Sequence, residues 1–277
     1  MSPLKPIKTF RDLLSFLTII PVGGKEDFIF TTAEHVYLFP IIGAFLGILA
    51  GAYFTGAGYV VRFLLGLTTP YLSLPTDTLS KLAVAAMTVA FLLVMTGLQH
   101  FDGLIDLGNA FGIRNEHDRK MAAHAWTVTH WGAALALAVE FAAFIGLFFV
   151  NPLYAFGAIV AAELSAKLAM VTIVWVGKPT HKGLGSIFLA KAKNKLNAVA
   201  YALSILIVFP FFALSGKPLL GFLGVGMVLL SVPVALVMEK VSEGVFGGVS
   251  GDTIGATNEV ARAVTLLALA AVLMVVA

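Results

Sequence analysis

At 277 residues, 59% hydrophobic and only 12% charged, with mean hydropathy +0.96, the chain carries about half the charge of a soluble domain, which argues against a soluble fold and places it in a bilayer. Cysteine is absent, so disulfides, thiolate metal sites and thiol nucleophiles are excluded together. The net charge of +3 is spread over a membrane chain and gives no footprint for nucleic acid.

From the N-terminus, residues 7–21 read as an amphipathic helix too short and too charged to span, stopped by Pro21-Val22-Gly23-Gly24. An interfacial or re-entrant position is expected for it. No short apolar stretch with a small-residue cleavage site opens the chain, so a removed signal peptide is not expected. Seven apolar runs then reach the roughly 20 residues of a spanning helix. They lie at about 35–63, 78–98, 130–150, 153–177, 196–215, 217–238 and 256–277. With no linker, low-complexity tract or internal repeat, the expectation is one transmembrane domain over 1–277. Its fold class is an all-α polytopic bundle of about seven transmembrane helices plus an N-terminal interfacial helix.

Seven spans put the N-terminal segment and the loops after spans two, four and six on one side, and 13 of the 18 Lys and Arg fall there. By the positive-inside rule that side is cytoplasmic, the N-terminus inside and the C-terminus outside. The chain is expected to be a multi-pass protein of the cell (inner, cytoplasmic) membrane with the lipid bilayer as its partner. A homo-oligomer stays open.

Chemistry concentrates in two stretches on that face. In His100-Phe101-Asp102-Gly103-Leu104-Ile105-Asp106 two carboxylates stand four residues apart, on one side of a helix, where they can converge on a hard divalent cation such as Mg2+. Gly247-Gly248-Val249-Ser250-Gly251-Asp252-Thr253-Ile254-Gly255-Ala256 brings a third acid to the start of the last apolar run. Asp102, Asp106 and Asp252 together suggest one composite site, where Mg2+ would be held by the carboxylates and substrate phosphate. Gly251 and Gly255 would let backbone and helix N-terminal N–H groups approach phosphate, or would serve close helix packing. His100 is the proposed acceptor of the nucleophile's proton, with a metal-ligand or supporting role as the alternative. The loop from Lys178 to Lys195, with Lys182 and His181, would contact diphosphate or nucleotide, or simply set topology. His124 and His130, beside Trp126 and Trp131, suit interfacial anchoring as well as chemistry.

These residues resemble a known family. Gly97-Leu98-Gln99-His100-Phe101-Asp102-Gly103-Leu104-Ile105-Asp106 is similar to the G-[GL]-x-H-x-D-G-L-x-D signature of the cobalamin 5'-phosphate synthases, also called adenosylcobinamide-GDP ribazoletransferases. Leu14 to Val22 resembles that family's FLTRIPV-like stretch, and Phe39 to Gly47 its FPLVG-x-x-x-G stretch. Gly247 to Ala256, continuing to Asn258-Glu259, resembles its GG-x-[TS]-GD-x-x-GA-x-x-E block. The four motifs occur in family order across most of the chain. The resemblance implies Mg2+-dependent transfer of the cobinamide-phosphoryl group from adenosylcobinamide-GDP to alpha-ribazole or its 5'-phosphate, releasing GMP, late in cobalamin biosynthesis. Two departures stand out. Asn109-Ala110 replaces a further Asp and Gly, leaving Asn109 to offer a neutral carbonyl to substrate or metal, and Met121 to Gly132 lacks the Asp of the family's M-K-D-x-x-x-G-x-x-G stretch.

Within the spans, Glu163 and Lys167 are spaced to pair at i and i+4, and Glu259 and Arg262 at i and i+3, while Glu140 has no local partner. Two alternatives frame the reading. A CDP-alcohol-type phosphotransferase uses a related acid array but requires D-x-x-D-G and Ala-Arg spacing, which this segment lacks. A secondary transporter would rest on the intramembrane acids.

Overall fold

The computed structural model describes residues 5–23, 28–69, 71, 73–123, 125, 127–181, 183–214 and 217–276. Among the described residues thirteen α-helices follow one another: α1 (Lys5–Leu17), α2 (Phe28–Glu34), α3 (Phe39–Gly66), α4 (Thr76–Met95), α5 (Gln99–Asn109), α6 (Glu116–Ala123), α7 (His130–Phe149), α8 (Pro152–Val176), α9 (Leu184–Lys191), α10 (Ala198–Ala213), α11 (Leu219–Leu229), α12 (Ser231–Phe246) and α13 (Gly251–Val276). Among the described residues no strand forms; Pro179 and Val249 make one isolated bridge. Among the described residues seven segments are long and apolar enough to cross a membrane, Val36–Gly66, Thr76–Met95, His130–Phe149, Pro152–Val176, Lys195–Ala213, Leu219–Phe246 and Gly251–Val276, so the chain is a polytopic all-α membrane protein.

α8 is the axis. It is buried on nearly every face, and α3, α13, α12, α10 and α11 pack around it. That is why its sequence is apolar all round rather than amphipathic. α1 differs from its interfacial expectation in one respect: its apolar face, Leu13, Leu14 and Leu17, is covered by protein, with α2 and α3 against it.

The second span stops earlier than its apolar run. Gly97 and Leu98 adopt left-handed φ values of 64° and 60°, which a helix cannot continue through. A leucine there costs roughly 1–2 kcal/mol. Ile19 N–H donates to Met95 O at 2.9 Å, fixing the elbow against the segment after α1. The chain restarts as α5, so the two acids occupy a separate short helix rather than the end of a span.

The charges inside the spans pair across helices. Arg262 on α13 donates from Nε to Glu163 Oε1 on α8 at 2.5 Å and from its terminal nitrogen to Glu259 Oε2. Lys167 does not pair with Glu163 as its spacing predicted. Its Nζ donates to Asn258 Oδ1 at 2.6 Å, and Asn258 Nδ2 donates to Glu259 Oε1 at 3.0 Å. The expected Glu259–Arg262 pair does form. Glu140 is buried with neither carboxylate oxygen hydrogen-bonded to a described residue.

Removing one member strands the others in a medium that cannot solvate them, at a cost of about 3–5 kcal/mol. Arg262→Met should therefore lower resistance to SDS-induced unfolding by about that amount, and adding Glu163→Gln should recover part of it. Losses that simply add in the double variant would show that the bridge between α8 and α13 carries no coupling.

Candidate active site

The first pair of acids is placed by helix geometry. Asp102 sits in the first turn of α5, where a negative charge is favoured, and Asp106 one turn on, on the same face. Asp252 sits in the first turn of α13. That helix begins at Gly251 because Ser250 caps it: its Oγ accepts from Thr253 N at 3.2 Å, and its carbonyl accepts from Ile254 N at 3.2 Å. The Ser250 hydroxyl also approaches Asp252 Oδ2 at 3.3 Å.

The two helices meet because each lacks a side chain where they touch. A Cβ on Gly103 would stand 2.3 Å from Asp252 O, and one on Gly255 would stand 3.1 Å from His100 Cα. This reciprocal contact assigns Gly255 to close packing. Gly251 has open space, the nearest neighbour to a Cβ being Gly185 N at 4.0 Å.

The outcome is a cavity of about 380 Å3 lined by Asp102, Ile105, Asp106, Ala123, Thr127, Val128 and Asp252. Three carboxylates from segments about 150 residues apart thus share one opening. Burial, with the carboxylates of Asp252 and Asp102 close by, pushes the Asp106 carboxyl up to about 7. Like charges so crowded are the arrangement a divalent cation relieves. Among the described residues no three His, Asp or Glu form a ready-made metal cage. Mg2+ is commonly held by one or two carboxylates with water and substrate phosphate completing its shell, so the donor set fits that ion arriving with a diphosphate.

Other expected residues lie elsewhere. His100 precedes Asp102 by two residues, about 200° around the helix, and faces away from the cavity. It is buried, with Nδ1 3.5 Å from Glu259 Oε1 and no hydrogen-bond partner on that nitrogen. Burial, with Lys167 near, holds its pKa below the ordinary imidazole value. Asn109 is committed internally: Nδ2 donates to Thr127 O at 2.8 Å, while Oδ1 accepts from Thr129 N and Thr129 Oγ1, both at 2.9 Å. It therefore holds the cavity wall instead of facing the cavity. Lys178 is exposed and does not line the cavity; its carbonyl accepts from Val249 N at 2.7 Å. Lys182, His124 and Trp126 lie outside the described residues.

Sequence reasoning missed Ala123, Thr127 and Val128 as wall residues. They belong to the stretch singled out for its departure from the family pattern, and only the Asn109 clamp folds them over α5.

Comparison with known proteins follows this geometry. The family model for cobalamin-5-phosphate synthase matches residues 9–270. A protein of Methanocella arvoryzae named adenosylcobinamide-GDP ribazoletransferase is 31% identical over 273 residues, covering 95% of this chain and 95% of its own. Similar proteins of the same name occur in Methanosarcina barkeri, 30% identical over 95% of this chain and 92% of that one, and in Thermococcus onnurineus, 29% identical over 94% and 96%. No solved structure matches.

The α5–α13 contact sets where the carboxylates stand, so Gly103→Ala should separate the helices and lower activity about 10-fold or more, since a misplacement of about 1 Å can cost up to about 100-fold. Gly226→Ala in α11, where a Cβ meets nothing within 4 Å, serves as the control. Equal activity in the two purified variants would show that the contact does not position the acids.

Proposed function

We propose that this chain, which belongs to the cobalamin-5-phosphate synthase family, transfers the adenosylcobinamide-phosphoryl group from adenosylcobinamide-GDP to alpha-ribazole or alpha-ribazole 5'-phosphate. The observation that carries the reading is the convergence of Asp102, Asp106 and Asp252 on one cavity at one end of a membrane bundle. In the reaction the acceptor's hydroxyl oxygen forms a new ester bond to the cobinamide-side phosphorus. The diphosphate bridge to guanosine breaks, and GMP leaves with the bridging oxygen. The products are adenosylcobalamin, or its 5'-phosphate, and GMP.

Asp102, Asp106 and Asp252 would hold Mg2+, which when bound neutralises charge on the phosphoryl oxygens and the leaving phosphate. The chain's own contribution is to hold these carboxylates on two bolted helices, so that no rearrangement accompanies the reaction. Ile105 and Val128 supply apolar wall that limits water around the reacting phosphorus. The acceptor proton leaves to a carboxylate of the cavity, since His100 faces Glu259 instead. His100 supports the reaction through the packing of α5 on α13.

The cavity faces the cytoplasm in this reading, because the basic residues collect on the side of Asp102, Lys182 and Asp252. Single cysteines introduced beside these residues into the cysteine-free chain should be shielded from an impermeant thiol reagent added outside the cell. Labelling at any one of the three from outside would overturn the shared cytoplasmic site.

The activity is tested by incubating the purified chain with adenosylcobinamide-GDP, alpha-ribazole or its 5'-phosphate, and Mg2+, and following GMP and cobalamin product. Asp102→Asn or Asp106→Asn should lower turnover by about 100-fold or more, with added Mg2+ restoring it only in part. Asp252→Asn should behave alike, and Asp102→Asn/Asp252→Asn should lose far less than the product of the single losses. Fully multiplicative losses, or full turnover without divalent ions, would break the composite metal site.

A further inference from the structure

The segment that leads the chain reaches both arms of the cavity. α1 ends at Leu17, and Thr18 turns the chain out of it: the hydroxyl donates to Leu14 O at 2.6 Å and accepts from Ile20 N at 3.2 Å. Thr18 is buried. Ile19, presented by that turn, donates its N–H to Met95 O at 2.9 Å, and its side chain lies against the elbow, since a Cβ on Gly97 would stand 2.9 Å from Ile19 Cγ2. Two residues after Gly97 the helix of Asp102 and Asp106 begins.

The other arm is reached through α9. Phe16 stacks on the buried Phe188 ring with centroids 4.8 Å apart, Phe39 approaches the same ring at 6.4 Å, and Lys191 Nζ donates to Glu34 Oε1 on α2 at 2.8 Å. α9 is thereby held at its middle and at its end. Its first turn lies on the start of α13: a Cβ on Gly185 would stand 2.7 Å from Gly251 N and 3.1 Å from Ser250 C. Asp252 is the next residue.

A helix that only anchored the chain in the interface would spend its apolar face on lipid. Here Leu13, Leu14 and Leu17 are buried, while Phe16 and Ile19 are spent on α9 and on the elbow. None of these residues lines the cavity. The contact of Gly103 and Gly255 sets the spacing between α5 and α13, and the contacts from α1 set where each of the two helices begins. Resting on the transferase reading above, we propose that α1 and the turn after it form a brace for the two carboxylate-bearing helices, with Phe16 and Thr18 as positioning residues for the transfer step. In that step Asp102, Asp106 and Asp252 act on one diphosphate, so a shift at either helix start is a shift in their mutual placement.

The test pairs steady-state kinetics of the purified full chain with a distance that needs no turnover. Phe16→Ala and Thr18→Ala should each lower kcat about 10-fold while KM for adenosylcobinamide-GDP stays within about twofold, because misplaced carboxylates cost the transition state and not the bound substrate. Phe16→Tyr keeps the ring and Thr18→Ser the hydroxyl, and both should retain most of the turnover. Spin labels on Gln99→Cys and Leu184→Cys, exposed positions in an otherwise cysteine-free chain, report the spacing of the two arms. Their distance distribution should shift or broaden in the alanine variants and return in the conservative ones. Unaltered kcat in the alanine variants, or an unaltered distribution, overturns the brace. If an alanine variant does not fold, Phe16→Leu, which keeps apolar bulk without the stacking ring, carries the same two readouts. A parent chain that forms no cobalamin product removes the transferase reading, and the distances still decide on the brace.

Discussion

Arg262 holds two carboxylates at once, Glu163 from α8 and Glu259 from its own helix, in a setting where no water can solvate any of the three. The last span is thereby locked in rotation and height against the central one. Every element of the site hangs from that lock. Glu259 faces His100, Gly255 lies on the His100 backbone, and Gly103 lies on Asp252, so α5 takes its position from α13 and not from the span that precedes it. The carboxylates that share the cavity stand on these two helices.

Such a site belongs at the end of a bundle. Glu163, Glu259 and Arg262 inside the spans are buried and committed to one another, whereas Asp102 is exposed and Asp106 and Asp252 are part-exposed at the mouth of the cavity. The intramembrane acids that gave a transporter reading its case are occupied in holding α8 to α13, Glu140 excepted. Division of labour between buried ions and mouth carboxylates explains how a chain with so few charges holds two clusters of them.

Much of this was legible in the sequence, for local reasons. Spans declare themselves because a bilayer tolerates only long apolar helices, and Asp102 and Asp106 declare themselves because four residues bring side chains to one helical face. Asp252 was legible only as a partner of unknown proximity, since nothing local brings residue 252 to residue 102. Tertiary competition decided the rest. Glu163 had Lys167 at the right spacing but met Arg262, whose planar fork satisfies two carboxylates together. His100 and Asn109 carry the same polar groups whether they face substrate or a neighbouring backbone, and only the fold chooses. The elbow at Gly97-Leu98 was hidden inside an apolar run because a left-handed leucine leaves no compositional mark.

That elbow has a mechanical consequence. α5 packs on α13, α7 and α6, while α4 packs on α3 and α7. Two left-handed residues interrupt the helical ladder between α4 and α5, whereas the contacts of α5 with the last span are backbone against backbone. Spanning helices adjust their tilt when bilayer thickness changes. Because no continuous helical ladder joins α4 to α5, a tilt of α4 has no rigid rod by which to reach the three carboxylates, whose spacing is set where α5 packs on α13.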